Sequence, residues 1–351
     1  MNDDALAPCL TLVDALIQSW SDLTVFPPAR LKNSSRVKPP PVPQRAYLLF
    51  NRWDDNLLAQ SLEQDFSSWT RDRVAVPDRQ FQDRLEHAPF VLELPEEMII
   101  APAASQNRAI REWLARSLAY AGKQVSERTS KQDLCGVIIS PASPQAITRH
   151  WVSLGDQRPP YQDDSVLFRY HDPRVMQRVW PALSPLQQSR WLGPILHWWS
   201  ILQPWGPFGA SPEPLQWFRA KAPALAHGEP AGGSPSDLFD ELQWRLSGSS
   251  AQANLIWRGY ADNHIPVAAQ PDAGSLLQML ADAARLGLEG VNLEDYVWVT
   301  WTHAPKEGPP RAMDWNLPHL APTLSLIEAQ LRSQPDARFS SLFVQAVQAR
   351  T

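Results

Sequence analysis

The chain has 351 residues, 44% of them hydrophobic and 20% charged, with a formal net charge of −5. That length predicts two domain-sized bodies, and that balance a globular chain with a large core. Residues from Pro223 onward hold 8 Lys/Arg against 14 Asp/Glu, while the first 222 hold 24 against 23, so neither part has the basic excess that nucleic-acid binding requires.

No apolar run reaches bilayer length, and the start of the chain, with Asp3 and Asp4, lacks the basic region of a signal peptide. Cys9 and Cys135 are far apart and fall in no CxxC pair. The expectation is two small core residues in a reducing cytoplasm, with no disulfide framework, zinc site or membrane insertion. The 34 prolines predict many fixed turns and helix starts, and the 16 tryptophans lean weakly toward partner binding, although for any one Trp the core is the better placement.

In chain order, Leu6, Cys9, Leu10, Val13, Leu16, Ile17 and Trp20 recur at helical spacing and predict an amphipathic helix over Leu6–Trp20. A proline-rich basic linker follows from Phe26 to Gln44, which makes the helix a separable element, docked on its own domain or on a partner. AYLLF at Ala46–Phe50 reads as a buried strand and Trp53–Gln64 as a helix, with Asp54 and Asp55 in its first turn. FVLEL at Phe90–Leu94 is a second strand, Asn107–Ala121 a helix and CGVIIS at Cys135–Ser140 a third strand. Ser143 and Pro144 then start a helix.

VLFRY at Val166–Tyr170 reads as a strand with two distinct faces. Asp172 as N-cap and Pro173 at the first helical position begin a helix whose stripe is Val175, Val179 and Leu183, and Ser184-Pro185 begins another toward Leu192. Strands alternating with helices predict an α/β N-terminal lobe with a mixed, largely parallel sheet and flanking helices. After a Pro/Gly/Ser linker at Lys221–Ser236, the pattern turns helical: Asp237–Tyr260 interrupted at Gly248-Ser249-Ser250, then Ser275–Gly287, Leu293–Thr302 and Leu324–Arg332. The predicted organisation is 1–44 helix and linker, 45–222 α/β core, and 223–351 linker and smaller all-helical lobe.

The sequence holds no GxSxG, HExxH, GxxxxGK[ST] or GxGxxG motif, and its eight histidines lack ligand spacing. The paired acids at Asp54-Asp55, Glu96-Glu97, Asp163-Asp164 and Glu294-Asp295 are adjacent in sequence, and adjacent residues on a helix do not face one another. They read as solvated faces or first-turn acids, Glu294 and Asp295 for the helix near Leu293. No metal, cofactor or enzymatic centre is expected. Arg169 and Arg174 bracket the helix start that carries Asp172, either as an ion-pair network fixing the turn or as an anion pocket. The acid already at the cap favours the network.

The segment Leu167-Phe168-Arg169-Tyr170-His171-Asp172-Pro173-Arg174-Val175-Met176, followed by Trp191-Leu192-Gly193-Pro194, resembles the signature of the type VI secretion effector-chaperone family, the Tap or TEC adaptors. Upstream, YLL near Tyr47, the strand within Ala88–Leu94 and GVIIS before a helix ending at His150 fit the same order. Leu276–Tyr296 is similar to the family's C-terminal helices, so the likeness runs over about residues 45 to 300. Here His171 replaces an aromatic residue, Trp191-Leu192 replaces paired aromatics, and the N-terminal helix with its linker is additional.

The resemblance implies a cytoplasmic, non-enzymatic adaptor of a Gram-negative bacterium that binds a toxic effector and helps load it on the VgrG spike or its PAAR tip. It marks Phe168, Arg169, Tyr170, Asp172, Pro173, Arg174, Val175, Gly193 and Pro194 as the structural motif. The alternatives are an immunity or inhibitor protein, or a hydrolase built from dispersed residues such as His171, Asp172 and Arg174.

Overall fold

The structure, a computed structural model, describes residues 3–24, 44–127, 132–160, 164–206, 215–223, 237–304 and 311–349. The basic proline-rich linker before Gln44, most of the Lys221–Ser236 linker and Asp163 lie outside the described residues. Two compact units are present, Met1–Gln203 with Pro212–Ser247 and Pro204–Ser211 with Gly248–Thr351. The division after Ser247 compares with the boundary at 222/223 read from the sequence.

In the first unit, helix α1 (Asp3–Thr24) precedes β1 (Arg45–Phe50), α2 (Leu57–Asp65), α3 (Ser67–Thr70), β2 (Val74–Ala75) and β3 (Phe90–Glu93). Then come α4 (Glu97–Ile100), α5 (Ser105–Ser126), β4 (Leu134–Ser140), α6 (Pro144–Gly155), β5 (Asp156–Gln157) and β6 (Val166–Leu167). The unit continues with α7 (Pro173–Val179), α8 (Pro185–Leu192), β7 (His197–Ile201) and β8 (Trp217–Lys221).

Six of these strands form one sheet in the order β2-β3-β1-β4-β7-β8, and every pairing in it is antiparallel. The largely parallel sheet expected from the sequence is therefore corrected. Strand β3 and strand β4 do run the same way, joined through α5, but β1 lies between them and opposes both. Strand-helix alternation reports that helices cover the sheet, and says nothing of which strand is inserted between the two ends of a crossover.

Helices on both faces also explain the continuous apolar runs, which are usually a mark of parallel sheets. Ala46, Leu48 and Phe50 enter one core with residues of α1, α2 and α5, while Tyr47 and Leu49 enter a second core with residues of α6, α7 and α8. One bulge interrupts the β1–β4 ladder, near Gly136. A Cβ on Gly136 would lie 2.5 Å from the Trp199 carbonyl oxygen and 2.6 Å from Trp198 Nε1, so only glycine admits this close approach.

The α1 helix docks on its own unit. Cys9, Val13, Leu16 and Trp20 are buried in the first core. Trp20 Nε1 donates to the Gln44 carbonyl at 2.9 Å, Trp217 Nε1 donates to the Leu12 carbonyl at 2.9 Å, and Arg111 clasps Asp14 with two contacts of 2.6 Å.

Several boundaries move. The second helix begins at Leu57, capped by the Asn56 side chain, so Asp54 and Asp55 precede it; Asp55 takes φ of 52° in the turn. The helix read as ending at His150 continues to Gly155. The VLFRY strand shrinks to Val166–Leu167, paired with β5 in a separate two-stranded sheet. Tyr170 N donates to the Phe168 carbonyl and Asp172 N to the Arg169 carbonyl, so turn hydrogen bonds replace the ladder there.

In α9 (Glu241–Asp262) the helix passes through Gly248-Ser249-Ser250 without interruption. Short, polar residues cost a helix roughly 1 kcal/mol or less each, which the surrounding turns outweigh. The second unit continues with α10 (Ala273–Arg285), α11 (Gly290–Thr302), α12 (Ala321–Ser333) and α13 (Phe339–Gln348) around a core that includes Trp257, Tyr260, Val297, Trp315 and Phe339. Its described elements are helical throughout. Glu294 and Asp295 sit beyond the first turn of α11. Asp295 caps another helix: its carboxylate accepts from Ser340 N at 3.2 Å, Ser340 Oγ at 2.6 Å and Arg338 Nε at 3.0 Å at the start of α13.

Among the described residues, no helix is long and apolar enough to cross a membrane, and no group of three or more His, Cys, Asp or Glu is placed to hold a metal ion. Cys9 and Cys135 are both free and buried.

Candidate functional site

The turn from Leu167 to Val175 is built from alternating apolar and polar commitments. Phe168, 3% exposed, sits at the centre of an aromatic cluster. Its ring lies 5.2 Å from Trp191, 4.8 Å from Phe239 and 5.8 Å from Trp244, each edge-on, which is the geometry aromatic quadrupoles favour. Tyr170 stacks on Trp151 at 5.4 Å, and burial holds its hydroxyl well above the usual phenol range.

Asp172 is the helix N-cap expected from the sequence. Its Oδ1 accepts from Arg174 N at 3.0 Å and Arg174 Nε at 2.9 Å, and its Oδ2 accepts from Arg174 Nη2 at 2.5 Å. Burial alone would raise this carboxyl, but the Arg174 hydrogen bonds and charge outweigh it and hold it below the ordinary carboxylate range. The Arg174 guanidinium is correspondingly raised, against its own burial. Asp172 and Arg174 therefore neutralise each other within one turn. Pro173 and Val175 are buried behind them.

Arg169 stands apart from that pair. It is exposed and lines a surface cleft together with His171 and Leu167. His171 is buried and its Nε2 donates to Asn51 Oδ1 at 3.0 Å; desolvation pulls its pKa down to about 4, so the ring is neutral at pH 7.

Gly193 and Pro194 tie the end of α8 to two other elements. His150 Nε2 donates to the Trp191 carbonyl at 2.9 Å, and Ser140 Oγ donates to the Pro194 carbonyl at 2.7 Å. Gly193 has φ of +55°, and a Cβ there would overlap the His150 imidazole. Glycine is required at this position on both counts.

Gln177, which nothing in the sequence singled out, lies off the Val175–Val179 stripe of α7 and is buried all the same. Its Nε2 donates to Ser200 Oγ at 2.9 Å and the Ile201 carbonyl at 2.8 Å, while its Oε1 accepts from Gln203 N at 2.8 Å. This one amide fastens the motif helix to β7. Its position opposite the Val175–Val179 stripe reads as a solvated one, so no sequence signal marked it; it is buried because its hydrogen bonds are met. Asn51, Arg52 and Arg84, which meet Arg169 and His171 in the cleft, were also missed, because they come from turns distant in sequence.

The family described as Domain of unknown function (DUF4123) matches residues 46–190, less than half of the chain. The matched span runs from the second residue of β1 through β6 and α7 to most of α8, and so contains the whole turn from Phe168 to Val175, while Gly193 and Pro194 fall beyond it. No curated protein and no solved structure matches the chain.

Proposed function

We propose that the chain is a cytoplasmic adaptor, without enzymatic activity of its own, that binds a type VI secretion effector and promotes its loading on the VgrG/PAAR spike. The observation that carries this reading is the family match over residues 46–190, since that family is associated with type VI secretion effector adaptors. The geometry of the FRYHDPRV turn supports it. The one carboxylate in the turn is held by Arg174, and the neighbouring His171 is neutral and bonded to Asn51, so these groups serve the scaffold. A catalytic acid–base pair needs groups that face a common reacting atom.

The test is co-expression of the tagged chain with the effector and VgrG encoded beside it, followed by affinity purification and size-exclusion chromatography. A stable complex with the effector, and transfer of the effector to VgrG that depends on this chain, is expected. Absence of binding to either protein sinks the reading. Neutralisation of effector toxicity without any association with VgrG makes the chain an immunity protein instead.

A further inference from the structure

A cleft of about 690 Å³ opens on the first unit where three separate turns meet. The turn after β1 supplies Asn51 and Arg52, the short 3-10 turns at Arg79–Phe81 and Leu85–His87 flank Arg84, and the motif turn supplies Arg169. Three guanidinium-bearing residues thus line one depression, and none of the lining residues is Asp or Glu. Arg84 and Arg169 are exposed and make no ion pair among the described residues, in contrast to Arg174 within the motif turn. Among the described residues, Arg52 pairs with the exposed Asp55 alone, at 4.0 Å. In a chain whose first 222 residues are nearly balanced in charge, this is a local concentration of unneutralised positive charge.

The geometry points to this cleft as a binding site for a carboxylate-bearing peptide segment of a protein partner. Guanidinium groups recognise carboxylates with paired, charge-assisted hydrogen bonds. The walls also hold Phe81, Pro89 and Leu167, which suit the aliphatic neighbours of an acidic side chain, and the Asn51 and Gln80 amides, which suit a peptide backbone. A nucleic-acid strand fits less well. Three arginines line one depression and the first 222 residues carry no basic excess, whereas a nucleic-acid strand draws on an extended basic surface. A side-chain carboxylate and a chain-terminal carboxylate present the same chemistry, and the experiment separates them.

The inference depends on the adaptor reading only for the source of the peptide. Full-length protein is titrated at low salt, by fluorescence anisotropy, against three fluorescein-labelled octapeptides. The first is Gly-Ser-Glu-Glu-Leu-Glu-Gly-Ser with an amidated C-terminus, the second has Gln for Glu and a free C-terminus, and the third has Gln for Glu and an amidated C-terminus. Binding of the first alone assigns side-chain carboxylates, and binding of the second assigns a chain terminus. In either case Arg84→Gln and Arg169→Gln should each weaken binding about tenfold, the scale of one charge-assisted hydrogen bond. Both residues are exposed, so an unchanged melting temperature separates lost binding from lost folding.

Equal binding of all three peptides, binding of none, binding indifferent to both substitutions, or displacement of bound peptide by an unlabelled single-stranded oligonucleotide at a concentration no greater than the peptide's would each overturn the inference. Failure to bind effector and VgrG would remove the adaptor reading and leave this titration standing, since it uses neither protein.

Discussion

Replacing Asp172 by Asn removes one charge from a pair whose side chains are only 9% and 13% exposed, and changes almost no volume. The amide keeps an oxygen for Arg174 N, so the cap contribution of about 1 kcal/mol is retained and the loss reports the ion pair. Deleting one partner of a buried pair costs about 3–5 kcal/mol, because the other charge keeps its desolvation cost and loses that neutralisation. Arg174 retains some solvent, which places the expected loss near the lower end, at about 3 kcal/mol.

Urea denaturation at pH 7, followed by circular dichroism, measures it. The double variant Asp172→Asn with Arg174→Met should recover most of the loss, because the buried charge that Asp172 neutralised is removed as well. A single variant within about 1 kcal/mol of the parent, or a double variant no more stable than the single, would refute the assignment of this pair as the lock on the turn. The pH dependence has a definite sign. The folded carboxyl of Asp172 is depressed, so its contribution is complete above the unfolded value of about 3.9 and is lost as pH falls through the lower folded value. Asp172→Asn should flatten that acid limb.

His171 titrates at about 4 when folded and about 6.5 when unfolded, so the unfolded chain binds the extra proton and stability falls as pH drops from 6.5 toward 4, by about 3 kcal/mol in all. Urea midpoints across that range should slope less in His171→Phe than in the parent, and identical slopes would exclude burial of a neutral imidazole. Gly193→Ala combines a backbone conformation closed to side chains with an overlap on His150, and thermal unfolding should show a loss of about 2–5 kcal/mol. Trp20→Ala should cost about 3–5 kcal/mol, whereas Asp14→Ala, which breaks only the half-exposed pair with Arg111, should cost less than about 1 kcal/mol; equal losses would contradict docking of α1 through its apolar face. Asp295→Ala should abolish protection from hydrogen exchange across Phe339–Gln348 before it affects the first unit.

Local signals carried the sequence reading a long way. Ser143-Pro144, Asp172-Pro173 and Ser184-Pro185 each begin a helix at the residue expected, because a cap and a fixed φ act within one turn of chain. The apolar spacing of α1 likewise matches its buried positions. Strand direction was not legible. Ala46–Phe50 is apolar on both faces whichever way its neighbours run, and nothing within those residues tells that β3 and β4 will close on it from either side. Nor were β7 and β8, where Trp198, Trp199 and Trp217 are strand residues to which the sequence reading assigned no element.

At the motif, the Asp172–Arg174 bond was legible because its partners are two residues apart. The freedom of Arg169 was not, since it depends on what the turn at Asn51 and the turn at Arg84 place opposite it. Composition gave the absence of a basic excess over the chain, and averaging over hundreds of residues hid the cleft where Arg52, Arg84 and Arg169 gather.

The position of β1 between β3 and β4 has a consequence for how the molecule is made. The central strand of the sheet emerges from the ribosome first, and its two partners follow at Phe90 and Leu134. Until the second of them arrives, five buried residues, Ala46 to Phe50, have at most one hydrogen-bonded neighbour. Synthesis at roughly 5–20 residues per second separates the two arrivals by a few seconds, so the nascent chain carries an open, apolar sheet edge for that interval.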